Sequence, residues 1–113
     1  MKLTREPITF DELKEGEHVI RHETTSRSNP DGTYSIFFRD KLIAVLFFDG
    51  TVRIFTAGME KNAVTKKRYN MVLLPLGKFI IESDKLWWLC NKGKYREEEV
   101  EPKLFNENMV VSP

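Results

Sequence analysis

Hydrophobic and polar positions change rhythm along this chain, and the changes divide it. Before residue 17 the pattern is irregular. Pro7 bars a continuous helix, and "TFDELKEG" offers Thr9 as an N-cap, Glu12 three positions on and Gly16 as a stop, which predicts little more than one helical turn. From Glu17 the pattern is that of strands. "EHVIRHETT" alternates weakly and is polar, as an edge strand is. "NPDG" at 29–32 marks a turn, with Pro30 presetting one backbone angle and Gly32 accepting a positive one. "TYSIFFR" places Tyr34, Ile36 and Phe38 on one face. A tight turn at Asp40-Lys41 leads into "LIAVLFF", apolar on both faces and so expected to be central. Asp49-Gly50 predicts a two-residue hairpin. "TVRIFT" then returns with Val52 and Ile54 on one face and Arg53 and Phe55 on the other. The three strands predict an antiparallel meander.

Ala57-Gly58 breaks the alternation, and the period lengthens to that of a helix. Thr65 is the expected N-cap, and Pro75 with Gly77 closes the helix. At helical spacing Tyr69, Val72 and Leu73 share one face and Leu76 extends it. Lys66, Lys67 and Asn70 lie away from that face, and Arg68 falls at its margin. So short a helix is unstable alone and must pack on the sheet. After Gly77, "KFIIE" and "KLWWL" flank Ser83-Asp84 as a second hairpin. "NKGKYREEEVEPK" is a charge run, read as a solvated excursion, and "LFNENMVV" adds a last short strand or a loosely docked end. The expected organisation is a lead-in over 1–16, a core domain over 17–92 and a charged extension over 93–113. The fold class is α+β: one compact domain, an antiparallel sheet of about five strands and one short helix.

A chain of 113 residues has room for one such core, and 41% hydrophobic with 31% charged residues is the balance of a globular protein. Eighteen basic against seventeen acidic residues leave a net charge of +1. No global field therefore draws the protein to nucleic acid or membrane, and any electrostatic function must be local. No apolar run approaches the ~18 residues of a membrane span, and "MKLTREPITF" lacks the apolar centre of a signal peptide. The single cysteine, Cys90, excludes a disulfide or a cysteine-based metal site within one chain, and after "LWWL" it reads as a small buried hydrophobe. The expected location is the cytoplasm.

The chemistry on offer is sparse. His18 and His22 have helical metal-ligand spacing, but on a strand they stand about 13 Å apart and cannot share an ion. The serines and acids lack the setting of a nucleophile, and the carboxylates of "REEEVE" read as a solvated face. Glycines are dispersed among turns, so no phosphate loop or cofactor is implied. Trp87-Trp88 on a strand must point to opposite faces, which offers one of them, with Phe37 and Phe47 from the paired phenylalanines, to a protein partner. Lys66, Lys67 and Arg68 open the expected helix, where free N–H groups favour an anion and cations are locally unfavourable. With Asn70, and with Arg53 and Lys61 nearby, they form a candidate nucleic-acid phosphate contact.

At these residues the chain resembles a family of small, uncharacterised bacteriophage proteins. Their pattern is an Asp-Gly hairpin, an alternating strand, a Gly-Gly-Trp turn, a Thr-Thr-Lys-x-Arg-Ile-Asn helix start, and an aromatic segment beyond. The matching stretches here are "DGTVRI", "AGM", "VTKKRYN" and "KLWWL", within a likeness that covers roughly residues 17 to 90. Ala57, Met59 and Val64 depart from the pattern, and one extra residue lies between Gly58 and Thr65, whereas Thr65, Lys66, Arg68 and Asn70 keep their places. The resemblance implies an α+β domain of phage origin acting in the host cytoplasm, and it brings no activity. The leading expectation is a non-enzymatic accessory protein that contacts nucleic-acid phosphates. The rival is a module that binds and redirects a host protein through the aromatic pairs and the acidic tail. A homo-oligomer formed through an exposed sheet edge is the third.

Overall fold

Turn chemistry in the first half of the chain lays down the larger of two sheets. A computed structural model of the chain describes residues 7–56, 58–91 and 103–113. Strands β1 (Glu17–Arg21), β2 (Thr24–Ser28), β3 (Tyr34–Phe38), β4 (Lys41–Leu46) and β5 (Val52–Ile54) follow one another as an antiparallel meander. The 29–32 turn forms as expected, with the Gly32 N–H donating to the Asn29 carbonyl at 3.0 Å.

Three other turns sit one residue from their expected places. Arg39 and Asp40, with φ of 52° and 66°, connect β3 to β4, because Phe38 pairs with Lys41. Asp84 and Lys85, with φ of 56° and 65°, make the later hairpin, because Ser83 pairs with Leu86. Two successive left-handed residues match the twist of the flanking strands. A one-residue slip would turn every side chain to the wrong face, so pairing register overrides local turn preference. Between β4 and β5 the Gly50 N–H donates to the Phe47 carbonyl at 3.0 Å, so Phe48 and Asp49 are the central residues. Gly50 follows at φ 93°, and a Cβ there would meet Pro113 Cγ at 3.1 Å. That turn leaves Phe48 at the tip.

Helix α1 (Ala63–Leu73) is capped by Asn62 and not by Thr65. Asn62 is extended, its Oδ1 accepts from the Thr65 N–H at 2.9 Å, and its carbonyl accepts from the Lys66 N–H at 2.9 Å. Thr65 is the third helical residue and is buried. A 3-10 turn (Leu74–Leu76) and Gly77 in the left-handed region end the helix. Beyond it, β6 (Lys78–Ser83), β7 (Leu86–Asn91) and β8 (Lys103–Leu104) form a separate three-stranded sheet in that order. β9 (Val110–Val111) returns to the larger sheet, whose order is β1-β2-β3-β4-β5-β9. The fold is α+β with one short helix, as expected. Its strands are shared between two antiparallel sheets, and residues 103–113 contribute one strand to each.

One buried cluster joins the helix to both sheets. Tyr69, Met71, Val72 and Leu73 of α1 meet Ile36, Phe38, Leu46, Val52 and Ile54 of the larger sheet, and Ile80, Trp87, Leu89 and Phe105 complete the cluster from the other side. The lead-in belongs to it as well. Thr9 and Glu12 form the expected short turn (a 3-10 turn, Phe10–Glu12), with the Thr9 N–H donating to Glu12 Oε1 at 3.0 Å. Ile8 is buried and donates its N–H to the Met71 carbonyl at 2.8 Å. Arg21 grips Glu12 with both nitrogens at 2.7 and 2.9 Å and also donates to the Pro7 carbonyl. That guanidinium holds the Glu12 carboxyl below the usual carboxylate range. Ala57 and the charged excursion over 92–102, including "REEEV", lie outside the described residues. Among the described residues no helix is long and apolar enough to cross a membrane.

Because Asn62 is the cap, Asn62→Ala is expected to lower the unfolding free energy by about 1 kcal/mol in a urea titration monitored by circular dichroism.

Candidate functional site

The basic residues singled out by sequence do not converge. With Asn62 as cap, Lys66 and Lys67 belong to the second turn of α1, not the first, so the helix dipole gives neither a special role. Lys66 is half-buried and Lys67 exposed, and neither forms an ion pair among the described residues. Asn70 is occupied structurally: its Oδ1 accepts from the Ile80 N–H at 2.8 Å and ties β6 to the helix. Arg53 stands between the inward Val52 and Ile54, so it lies on the sheet face turned away from α1. Lys61 precedes the cap, and its Nζ lies 5.8 Å from the Trp87 ring centroid. Of the six candidate residues, Asn70 is thus committed to the fold and Arg53 lies on the sheet face opposite α1.

Arg68 carries the unusual chemistry. It is only 5% exposed, yet among the described residues no carboxylate forms an ion pair with it. Its guanidinium lies 4.8 Å from the Phe38 ring centroid, one nitrogen donates to the His22 carbonyl at 3.3 Å, and its Nε is buried with no hydrogen-bond partner. Burial pushes its pKa below the usual arginine value; Glu23 opposes the shift and Arg39 adds to it. Arg39 stacks on the same ring, also at 4.8 Å, and pairs with Glu23 at 2.8 Å. Two guanidinium groups thus share one phenyl ring, with one nearby carboxylate between them.

Phe38 forms the floor of a cleft of about 330 Å³. Arg39 and Lys41 line one wall, and Gly58, Met59, Glu60 and the start of α1 at Asn62 and Thr65 line the other. Gly58 has φ 77°, and a Cβ there would lie 3.4 Å from Lys41 Nζ, so the chain passes close to that ammonium. The N–H groups of Ala63 and Val64, in the first turn beside this wall, have no intrahelical acceptor by the geometry of a helix start. A cleft lined by two cations, Arg39 and Lys41, against the one carboxylate of Glu60, and reaching an open helix start, is suited to a small anion such as a phosphate oxygen cluster. Arg39 and Lys41 could not be found by composition, since each reads as an ordinary hairpin residue. The signal was positional: they flank the turn opposite the helix start.

The aromatic candidates divide too. Trp87 is 4% exposed, packed against Tyr69 and Phe105 with centroids at 6.2 and 6.1 Å. Trp88 is half-buried and donates its Nε1 to the Ser83 carbonyl at 3.2 Å. Phe37 is half-buried under Arg27, and Phe47 borders a small apolar crevice. The fully displayed ring is Phe48, 82% exposed, which the alternation of a longer strand had not singled out. Cys90 is buried, and burial pushes its thiol pKa up. His18 Nε2 lies 2.7 Å from the Glu15 carbonyl and His22 lies beside Glu23, so the two rings are engaged separately. Comparison with family models, with curated proteins and with solved structures finds no match to this chain.

If the cleft accepts an anion, inorganic phosphate at fixed ionic strength will raise the melting temperature of the wild type and leave the Arg39→Gln/Lys41→Gln double variant unmoved. Arg68→Met, which removes a buried charge without removing volume, will melt no lower than wild type but show a weaker phosphate response. Differential scanning fluorimetry reads both.

Proposed function

We propose that the protein is a non-enzymatic accessory protein of bacteriophage type that acts in the host cytoplasm by holding a nucleic-acid phosphate in the cleft at the start of α1. The observation that supports this reading is the pair of cations Arg39 and Lys41 lining a cleft beside the helix start, with the buried Arg68 guanidinium on the same Phe38 ring as Arg39. A buried cation with an unpartnered N–H is costly, and an anion held at the neighbouring Arg39 lowers that cost through space. Lys41 and the open N–H groups of the first helical turn supply the remaining donors. Net charge near zero limits the contact to a few phosphates, so affinity should be modest and strongly dependent on salt. In fluorescence anisotropy with a labelled oligonucleotide, binding at ~50 mM salt should weaken steeply as salt rises. Arg39→Gln/Lys41→Gln should lower the slope of log affinity against log salt by about two. A salt-independent affinity, or none at low salt, sinks the reading.

A second reading, a module that binds a host protein, is favoured by Phe48. It projects from the β4–β5 turn beside an apolar crevice of about 130 Å³ between Leu46, Phe47, Val72, Leu76 and Pro113. A knob next to a hole is the anatomy of an anchor residue and its receiving pocket. On this reading Phe48→Ser abolishes nuclease-resistant capture of one specific protein from lysate while leaving phosphate stabilisation intact.

A further inference from the structure

The cleft takes Phe38 from the α1-facing side of the larger sheet, and the opposite face lies outside it. The face turned away from α1 carries two rows of side chains. Strand pairing aligns Glu17, Arg27, Ser35, Val45, Arg53 and Val110 in one row and Val19, Thr25, Phe37 and Leu42 in the next. Phe37, Leu42 and Val45 are half-buried, and none of them belongs to the core cluster. Val19 and Val110, at the two edges, are 78% and 58% exposed. Phe37, Leu42 and Val45 make an apolar patch on this face, set among Thr25 and Ser35 and flanked by two arginines.

The Arg27 guanidinium lies 4.7 Å from the Phe37 ring centroid, in the place a flat cationic or aromatic group takes over a phenyl ring. Its other contact is weak: Glu17 stands 3.5 Å away, and both side chains are more than half exposed, so the pair gives way easily. Arg53 lies three strands away in the same row, about 14 Å at ordinary strand spacing. Two cations with one weakly held acid favour an anionic chain, and apolar and aromatic side chains between them favour exposed bases.

We infer that this face binds single-stranded nucleic acid, with a base stacked on Phe37 and the flanking phosphates held by Arg27 and Arg53. The inference rests on the proposed nucleic-acid function and extends it by naming the strandedness of the ligand. A duplex keeps its bases stacked inside, and it would set phosphates against Phe37, Leu42 and Val45 with nothing to offer them. A single strand turns base faces toward the patch. When a base arrives on Phe37, Arg27 swings from the ring to a phosphate and exchanges Glu17 for a stronger anion.

The test uses the full chain with a labelled single strand of mixed sequence and its duplex, compared by anisotropy at ~50 mM salt. The single strand should bind at least about tenfold more tightly than the duplex. Phe37→Leu, which keeps the apolar volume and removes the ring, should weaken the single strand by about tenfold. Arg53→Ala, at an exposed position, should weaken it as well and lower the salt slope by about one. Neither variant should alter the phosphate-induced rise in melting temperature, which reports the cleft, and circular dichroism verifies that both are folded. Equal affinity for single strand and duplex overturns the inference, as does unchanged binding in Phe37→Leu and Arg53→Ala. If no nucleic acid binds in either form while phosphate still stabilises the protein, both the proposed function and this inference fall, the cleft remains an anion site, and the patch belongs to a protein partner.

Discussion

Tyr69 is the contact through which the two sheets and the helix become one body. Its ring is fully buried, packed edge-on against Phe105 at 5.1 Å and against Trp87 at 6.2 Å. Its hydroxyl donates to the Phe55 carbonyl at 2.6 Å, just beyond the end of β5. Burial pushes the phenol pKa well above its usual value, so the hydroxyl stays a donor at any ordinary pH. One side chain therefore fixes α1 to the end of the larger sheet and, through its ring, to the smaller one. A helix of eleven residues has little stability alone, and this anchoring is what gives it a fixed place. The cleft depends on that place, since its second wall is the start of the same helix.

The geometry around Phe38 follows from the same constraint. Tyr69 and Val72 face the core, so the preceding residue on the wheel, Arg68, is carried to the edge where β3 ends. There it meets a ring already flanked by the turn residue Arg39. The protein accepts two like charges near one another at a point where apolar packing would have been simpler. A stable fold does not need that arrangement, and the lysine pair of α1 has no counterpart to it.

Much of the fold was legible in the sequence, and the losses have definite causes. Alternation of Tyr34, Ile36 and Phe38, and of Val52 and Ile54, found the strands and their core faces. Two turns slipped by one because Arg39 and Lys85 adopt left-handed backbone that local preference does not assign to them. The cap was misplaced because Asn62 and Thr65 are equally good caps three residues apart, and only hydrogen bonding distinguishes them. The division into two sheets was invisible, since β8 and β9 are two-residue strands with no period of their own. For the site the limits were sharper. Arg68 at the margin of the helical face was recognised, but its stacking on Phe38 and the opposition of Arg39 and Lys41 are long-range pairings. Arg53 and Phe37 were each noticed for separate reasons, and strand register put them on one face with Arg27.

The pairing of β9 with β5 and of β8 with β7 also bears on how the protein is made. The meander is built from neighbours in the chain and can assemble as soon as β5 has emerged from the ribosome. Tyr69 and Trp87 must wait, because Phe105 and Val111, which close over the core and the β5 edge, are synthesised much later. During that interval the nascent chain displays an aromatic surface and an unpaired strand edge, the two features that invite association with other chains. Association with other chains thus competes with the docking of residues 103–113 onto β5 and β7.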